Sequence, residues 1–326
     1  MFSLLLVLLV SGFAAQDASL PMSPRPLKAS HIAELQVPAF GSMGNIQCDE
    51  SMATYYHLWA DKYERTVLLR LSQSGDQSTN YKLPDEFADS TYFWDFSVTP
   101  GGDVAALVLD HKFHPIVFSF NSEGQVSSHS RLEAPDQMEA ERITVFPNGT
   151  LLLYGRYLRE APAAVAGKDY VALYHPSGKL LKKLDRLAEK TKIDLPSPGN
   201  IPDGGATVGR DGNIYLLASN RVLVVSSSGK IQREIKFTKP APEFSADGVQ
   251  YSEGWLAISL VKRVQPDKPE IKSQYLVVNA QDGSPLGLYE PTEETGNSNL
   301  CFSRHDGFLF SKYEHGRVKF ITAPLR

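Results

Sequence analysis

Short apolar runs alternate with polar turns that end in glycine, and this alternation recurs along the chain. One motif reads LLRLSQSG (68–75), VFSFNSEG (117–124), VALYHPSG (171–178), VLVVSSSG (222–229) and YLVVNAQDG (275–283). Its glycines are 49, 54, 51 and 54 residues apart. A second motif, strand–glycine turn–strand, lies upstream of most of these. It reads FSVTPGGDVAALVL (96–109), ITVFPNGTLLLYG (143–155), ATVGRDGNIYLLA (206–218), VQYSEGWLAISL (249–260) and LCFSRHDGFLFS (300–311). Val, Ile, Leu, Phe and Tyr suit a pleated surface, and Gly, Asn, Asp and Ser tolerate the backbone of tight turns. Each unit therefore predicts four antiparallel strands, and radial repetition of such units is a β-propeller.

The arithmetic predicts six blades. Gly75 to Gly283 spans 208 residues in four steps, or 52 per blade. The units fall at 46–85, 91–133, 141–187, 205–238 and 244–290, with a sixth from Asn299. That last unit lacks a fourth strand. HIAELQV (31–37) fits the missing strand, so the N-terminal segment is expected to complete the last blade and close the ring. Closure removes the open sheet edges on which other chains could pair.

Composition narrows the class further. Of 326 residues, 42% are hydrophobic and 21% charged, enough for a large core and too apolar for disorder. The net charge of -4 gives no basic excess for nucleic acid. The apolar run at 4–10 is short for a membrane span and is followed by small residues. It reads as a secretory signal over 1–15. An extended, proline-bearing leader (16–29) and a single propeller domain (30–326) follow. The expected mature protein is monomeric and exported, periplasmic or secreted, with no membrane span.

PDGGATVGRDGNIYLL (202–217) and VLVVSSSGKIQREIKF (222–237) resemble blades of six-bladed propellers of the NHL and TolB-like group, as found in bacterial exported proteins. The likeness covers nearly the whole mature chain and implies a fold, not a reaction. The segment Asn200-Ile201-Pro202-Asp203-Gly204 also resembles the calcium-ligand loop of gluconolactonase (regucalcin-like) propellers. That resemblance implies a divalent ion that activates water to open a lactone. Only Asp203 matches that ligand set. The corresponding entries of blades two and three read FWDFSV and ERITVF, without the family's asparagine motifs.

The connections are unequal. First-to-second and third-to-fourth turns are tight and share one face of the propeller. Most others are long and share the opposite face, which is the expected functional face. The residues expected to ring the channel mouth there are Trp94, Asp95, Arg142, Asp203, Asp247 and Asn299. Tyr92, Phe93 and Trp94 are expected to cluster in a loop where they could stack on a sugar or peptide. His111 and His114 form H-x-x-H without an evident third ligand and read as a solvated pair. Asn148-Gly149-Thr150 reads as a turn. No nucleophile elbow, dinucleotide fingerprint or phosphate loop occurs. The expectation is a non-catalytic binding or scaffold propeller for a protein, peptide or glycan, without metal or cofactor. The alternative is a metal-dependent hydrolase or lactonase. Cys48 and Cys301 fall in the inner strands of neighbouring blades. Their unequal distances from the turn glycines favour two buried thiols over a bridge.

Overall fold

The computed structural model describes residues 22–36, 43–58, 66–74, 78–88, 91–184, 205–263, 271–296, 298–314 and 317–325. The expected secretory signal lies outside them. Two strands precede the first full blade, β1 (Arg25–Pro26) and β2 (His31–Gln36). Blade one is β3 (Met43–Cys48), β4 (Thr54–Leu58), β5 (Thr66–Leu71) and β6 (Ser78–Lys82). A single helical turn, α1 (Asp85–Ala88), leads to blade two, which is β7 (Thr91–Val98), β8 (Val104–Asp110), β9 (Pro115–Phe120) and β10 (Val126–Arg131). Blade three is β11 (Met138–Val145), β12 (Leu151–Tyr157), β13 (Asp169–Tyr174) and β14 (Leu180–Lys183). Blade four is β15 (Ala206–Val208), β16 (Ile214–Ala218), β17 (Arg221–Val225) and β18 (Ile231–Lys236). Blade five is β19 (Ser245–Ser252), β20 (Trp255–Arg263), β21 (Ile271–Asn279) and β22 (Pro285–Glu290). The sixth is β23 (Ser298–Ser303), β24 (Gly307–Glu314) and β25 (Arg317–Ala323), completed by β2.

The ring closes as the strand count requires. β2 runs antiparallel to β25, from His31 opposite Thr322 to Gln36 opposite Arg317. β1 adds a parallel fifth strand to blade five, with Arg25 opposite Tyr289, and the Leu27 side chain behind it is buried. Deleting residues 1–37 removes β1 and β2 together and bares the outer edge of β25. The shortened protein is expected to associate or aggregate on size exclusion more than the undeleted chain. A shortened chain that stays monomeric and equally stable would contradict the clasp.

Blade interiors explain why the second strands read as continuous apolar runs. A blade is sandwiched between two others, so both faces of its middle strands are buried. Val104, Ala106 and Val108 pack toward blade one, while Ala105, Leu107 and Leu109 pack toward blade three. Leu151 and Leu153 face blade two, and Leu152 and Tyr154 face blade four. The tight turns carry glycine at positive φ: Gly102, Gly149, Gly212 and Gly307 between first and second strands, Gly124, Gly178, Gly229 and Gly283 between third and fourth. At the third-to-fourth turns a second constraint applies. A Cβ on Gly178 would overlap the carbonyl oxygen of Arg131, at the end of the preceding blade's outer strand. Gly283 meets Lys236 O of its preceding blade in the same way. These turns are blade-to-blade contacts as well as chain reversals.

Candidate functional site: the axial cavity

Every blade contributes its first strand to the axis, and that strand has no partner on its inner side. Its outward N–H and C=O groups must be satisfied by the next blade. The structure does this with side chains in a fixed register. The residues that close the first-to-second turns, Asp49, Thr99, Phe146, Gly209 and Ser303, are equivalent anchors. The residues two before these anchors are Gln47, Ser97, Thr144, Thr207 and Cys301. Gln47 accepts from Val98 N at 3.0 Å and donates to Phe96 O at 2.5 Å. Ser97 Oγ accepts from Val145 N at 3.0 Å. In both pairs the residue two before one anchor meets the residue one before the next anchor.

Cys301 and Cys48 stand in that same relation, and they form a disulfide with Cα atoms 5.8 Å apart. This corrects the expectation of two buried thiols. Turn glycines are a poor ruler because the first turns differ in length. Measured from the anchors, neighbouring inner strands are slipped by one residue, which brings the two cysteines level. The disulfide joins the first and last blades at the point where the other blades use Gln47 and Ser97.

The candidate residues read from the sequence do not all reach the axis. Trp94 and Asp95 lie inside β7, Arg142 inside β11, Asp247 inside β19 and Asn299 inside β23. Asp203 lies outside the described residues. The inner strands start earlier than their apolar pattern suggests because they run through β-bulges, between Phe93 and Asp95, Ala140 and Arg142, and Ala246 and Gly248. A bulge re-aims side chains and breaks the alternation by which a strand is read. Trp94 is the extra residue of its bulge and is 41% exposed. Phe93 packs against the core between blades one and two, so this aromatic group belongs to a strand and not to a loop. Asp95 is 2% exposed and its Oδ2 accepts from Ile143 N at 2.9 Å, with Arg142 Nη1 4.0 Å from Oδ1. That carboxylate joins blade two to blade three. Asp247 is the extra residue of the blade-five bulge and lines the axial cavity.

The cavity has a volume of about 530 Å³ and draws its walls from all six blades. Its residues include Gln47, Ser97, Thr144, Thr207, Gln250 and Ser303. A sequence signal for this ring existed. In IQ, FS, IT, AT, VQ and LC, a residue that is hydroxylic, amide or cysteine follows an apolar one at the same place in every unit. Position-by-position alignment of the repeats exposes it, whereas a search for charged residues at strand entries does not. Val261 and Ser273, beside the second-to-third connection of blade five, carry the cavity toward the long-loop face. At the tight-turn end Glu50 of blade one forms an ion pair with Arg210 of blade four, across the axis.

Behind Glu50, Asp49 is held as a structural acceptor. Its Oδ1 accepts from Ser51 N at 2.8 Å, and its Oδ2 accepts from Tyr55 OH at 2.9 Å. Arg70 Nε donates to the same tyrosine oxygen at 2.9 Å. Burial, then the Asp49 charge, push the Tyr55 hydroxyl far above its ordinary range, so it remains a donor. Blade four repeats the arrangement, with Tyr215 OH donating to Asp211 Oδ2 at 2.8 Å.

The histidine pair is also accounted for. His114 Nδ1 is 3.2 Å from Asp110 Oδ2, and Arg131 Nη2 donates to that oxygen at 2.7 Å. Burial alone would raise the Asp110 carboxyl, but N–H donation from His114 and Lys112 outweighs it and holds the pKa at about 2. His111 is exposed. Asn148 Oδ1 accepts from Thr150 N at 3.1 Å, which is turn chemistry. Among the described residues no three His, Cys, Asp or Glu side chains come together as a metal site. The calcium ion implied by the lactonase resemblance would draw on oxygen ligands beyond those residue types, and Asp203, the one match, lies outside the described residues.

No family model matches the chain, and no curated protein matches its sequence. Solved structures do match. Regucalcin from Agrobacterium tumefaciens, a calcium-binding protein, is 14% identical with TM-score 0.47, over 92% of this chain and 96% of that one. A gluconolactonase from Xanthomonas campestris is 11% identical with TM-score 0.42, over 94% and 97%. YCF48 from Cyanidioschyzon merolae is 11% identical with TM-score 0.43, over 89% and 98%. No helix among the described residues is long and apolar enough to cross a membrane.

Proposed function

We propose that this protein is an exported propeller that binds a protein, peptide or glycan partner at its long-loop face, as a binding or scaffold module and not as a catalyst. The axial cavity carries this reading. It is of ligand size, Val261 and Ser273 extend it toward the long-loop face, and the Glu50–Arg210 pair spans its other end. Asp95, one of the six residues expected at the channel mouth, accepts the Ile143 N–H and joins two blades. Export is supported by the short apolar N-terminal run and by the Cys48–Cys301 disulfide, since such bonds persist in oxidising compartments.

The test is twofold. Capture of extracellular or periplasmic ligands on immobilised mature protein should be lost when the cavity is filled by Thr207→Trp and retained in an exposed-surface variant such as Lys230→Ala. In parallel, lactone and ester hydrolysis should be absent with and without calcium. Measured hydrolysis that disappears in Asp203→Ala would overturn the binding reading in favour of the metal-dependent enzyme.

A further inference from the structure

Resting on that reading, we propose that the axial cavity selects an uncharged, hydroxyl-rich ligand of about disaccharide size, a neutral carbohydrate, and rejects anions. The first ground is charge. The ionisable acidic side chains that line the cavity are Asp49, Glu50 and Asp247, and among the described residues no lysine or arginine lines it. Asp49 already receives Arg70, and Glu50 receives Arg210. An anionic ligand would enter a space whose described lining residues supply carboxylates and neutral polar groups but no lysine or arginine to receive it.

The second ground is the hydrogen-bonding capacity of the wall. Ser97, Thr144, Thr207, Ser259, Ser273 and Ser311 all line it and come from five blades. A hydroxyl donates one hydrogen bond and accepts two, so such a wall can match ligand hydroxyls in either sense. Ser97 Oγ accepts the Val145 N–H and still has its proton to give. At Ser97 the main-chain contact therefore uses the oxygen and leaves the hydroxyl proton to donate elsewhere. Ser259 and Ser273 stand opposite one another's neighbours on the two middle strands of blade five, and Ser311 holds a middle-strand position in blade six.

The third ground is an aromatic wall. Tyr251 lines the cavity and stacks on Tyr215 at 4.6 Å between centroids and 19° between planes. Its ring is fixed from one side, and a rigid ring of this kind is the usual partner of a sugar's apolar C–H face. The volume of about 530 Å³ sits within the range of small-ligand sites.

Titration calorimetry on the mature protein would use cellobiose, maltose and chitobiose as neutral probes, digalacturonate as the anionic counterpart and spermidine as a cation. At least one neutral probe is expected to bind, and digalacturonate to bind at least about tenfold more weakly. Thr144→Val with Thr207→Val keeps side-chain shape and removes two hydroxyls, which should weaken neutral binding about tenfold or more. Thermal melts of that double variant will separate lost contacts from lost folding. Digalacturonate or spermidine binding as tightly as the neutral probes would overturn the ligand class, as would neutral binding unaffected by the double variant. No neutral binding up to about 10 mM, with capture of a protein or peptide lost in Thr207→Trp, would overturn the carbohydrate and leave the binding reading standing. No binding of any kind would sink both.

Discussion

Replacing Cys48 and Cys301 together by serine will lower the stability of the mature protein by about 3–5 kcal/mol, the largest effect expected from any pair of side chains here. The bond closes a loop of 253 residues, so removing it returns conformational freedom to nearly the whole unfolded chain. The native state loses too. The disulfide joins blade one to blade six at the register where Gln47 and Ser97 hold other blades together, and Cys301 is fully buried. Two serine hydroxyls in that place would have to find each other or remain unsatisfied. In denaturant titrations the double variant should show a markedly lower midpoint. Wild-type protein unfolded with reductant present should fall to the same value. A change below about 1 kcal/mol, or a reductant effect without a matching variant effect, would remove the disulfide from its role as ring fastener.

Gly178→Ala is the second large expectation, at about 3–5 kcal/mol, because two penalties add at one methyl group. Gly178 has φ of +86°, where any Cβ is strained, and its Cβ would overlap Arg131 O in the preceding blade. Backbone on both sides cannot swing away as a flexible side chain would. Gly212→Ala is the matched control: φ is +80°, but nothing stands within 4 Å of a Cβ there. It should cost only the conformational strain, about 1 kcal/mol. Equal costs at the two positions would show that the third-to-fourth turns reverse the chain without carrying a blade contact.

Those two glycines illustrate why the repeat is visible and why its reasons are not. Both appear in the chain as turn residues at regular spacing. That one of them touches another blade depends on residues 47 positions away, which no local pattern records. Asp95 is a similar case. A carboxylate at a strand entry reads as a ligand-binding candidate, and in the fold its oxygen is aimed at the Ile143 N–H of the next blade. At Trp94 and at Asp247 a bulge interrupts the alternation, so the period-two signal of those strands starts late.

The chain alone determined the six blades, their boundaries to within a few residues and the closing strand at 31–36, because these follow from local properties. Strand length, turn glycines and a unit count are carried by neighbouring residues, and an unmatched fourth strand has only one complementary segment to find. The tertiary structure alone decided the Cys48–Cys301 bond, the aim of Asp95 at the next blade and the pairing of Glu50 with Arg210. Each depends on how far neighbouring inner strands slip past one another or on which blades stand opposite. A slip of one residue changes every contact across the interface while leaving the pattern within each blade unchanged.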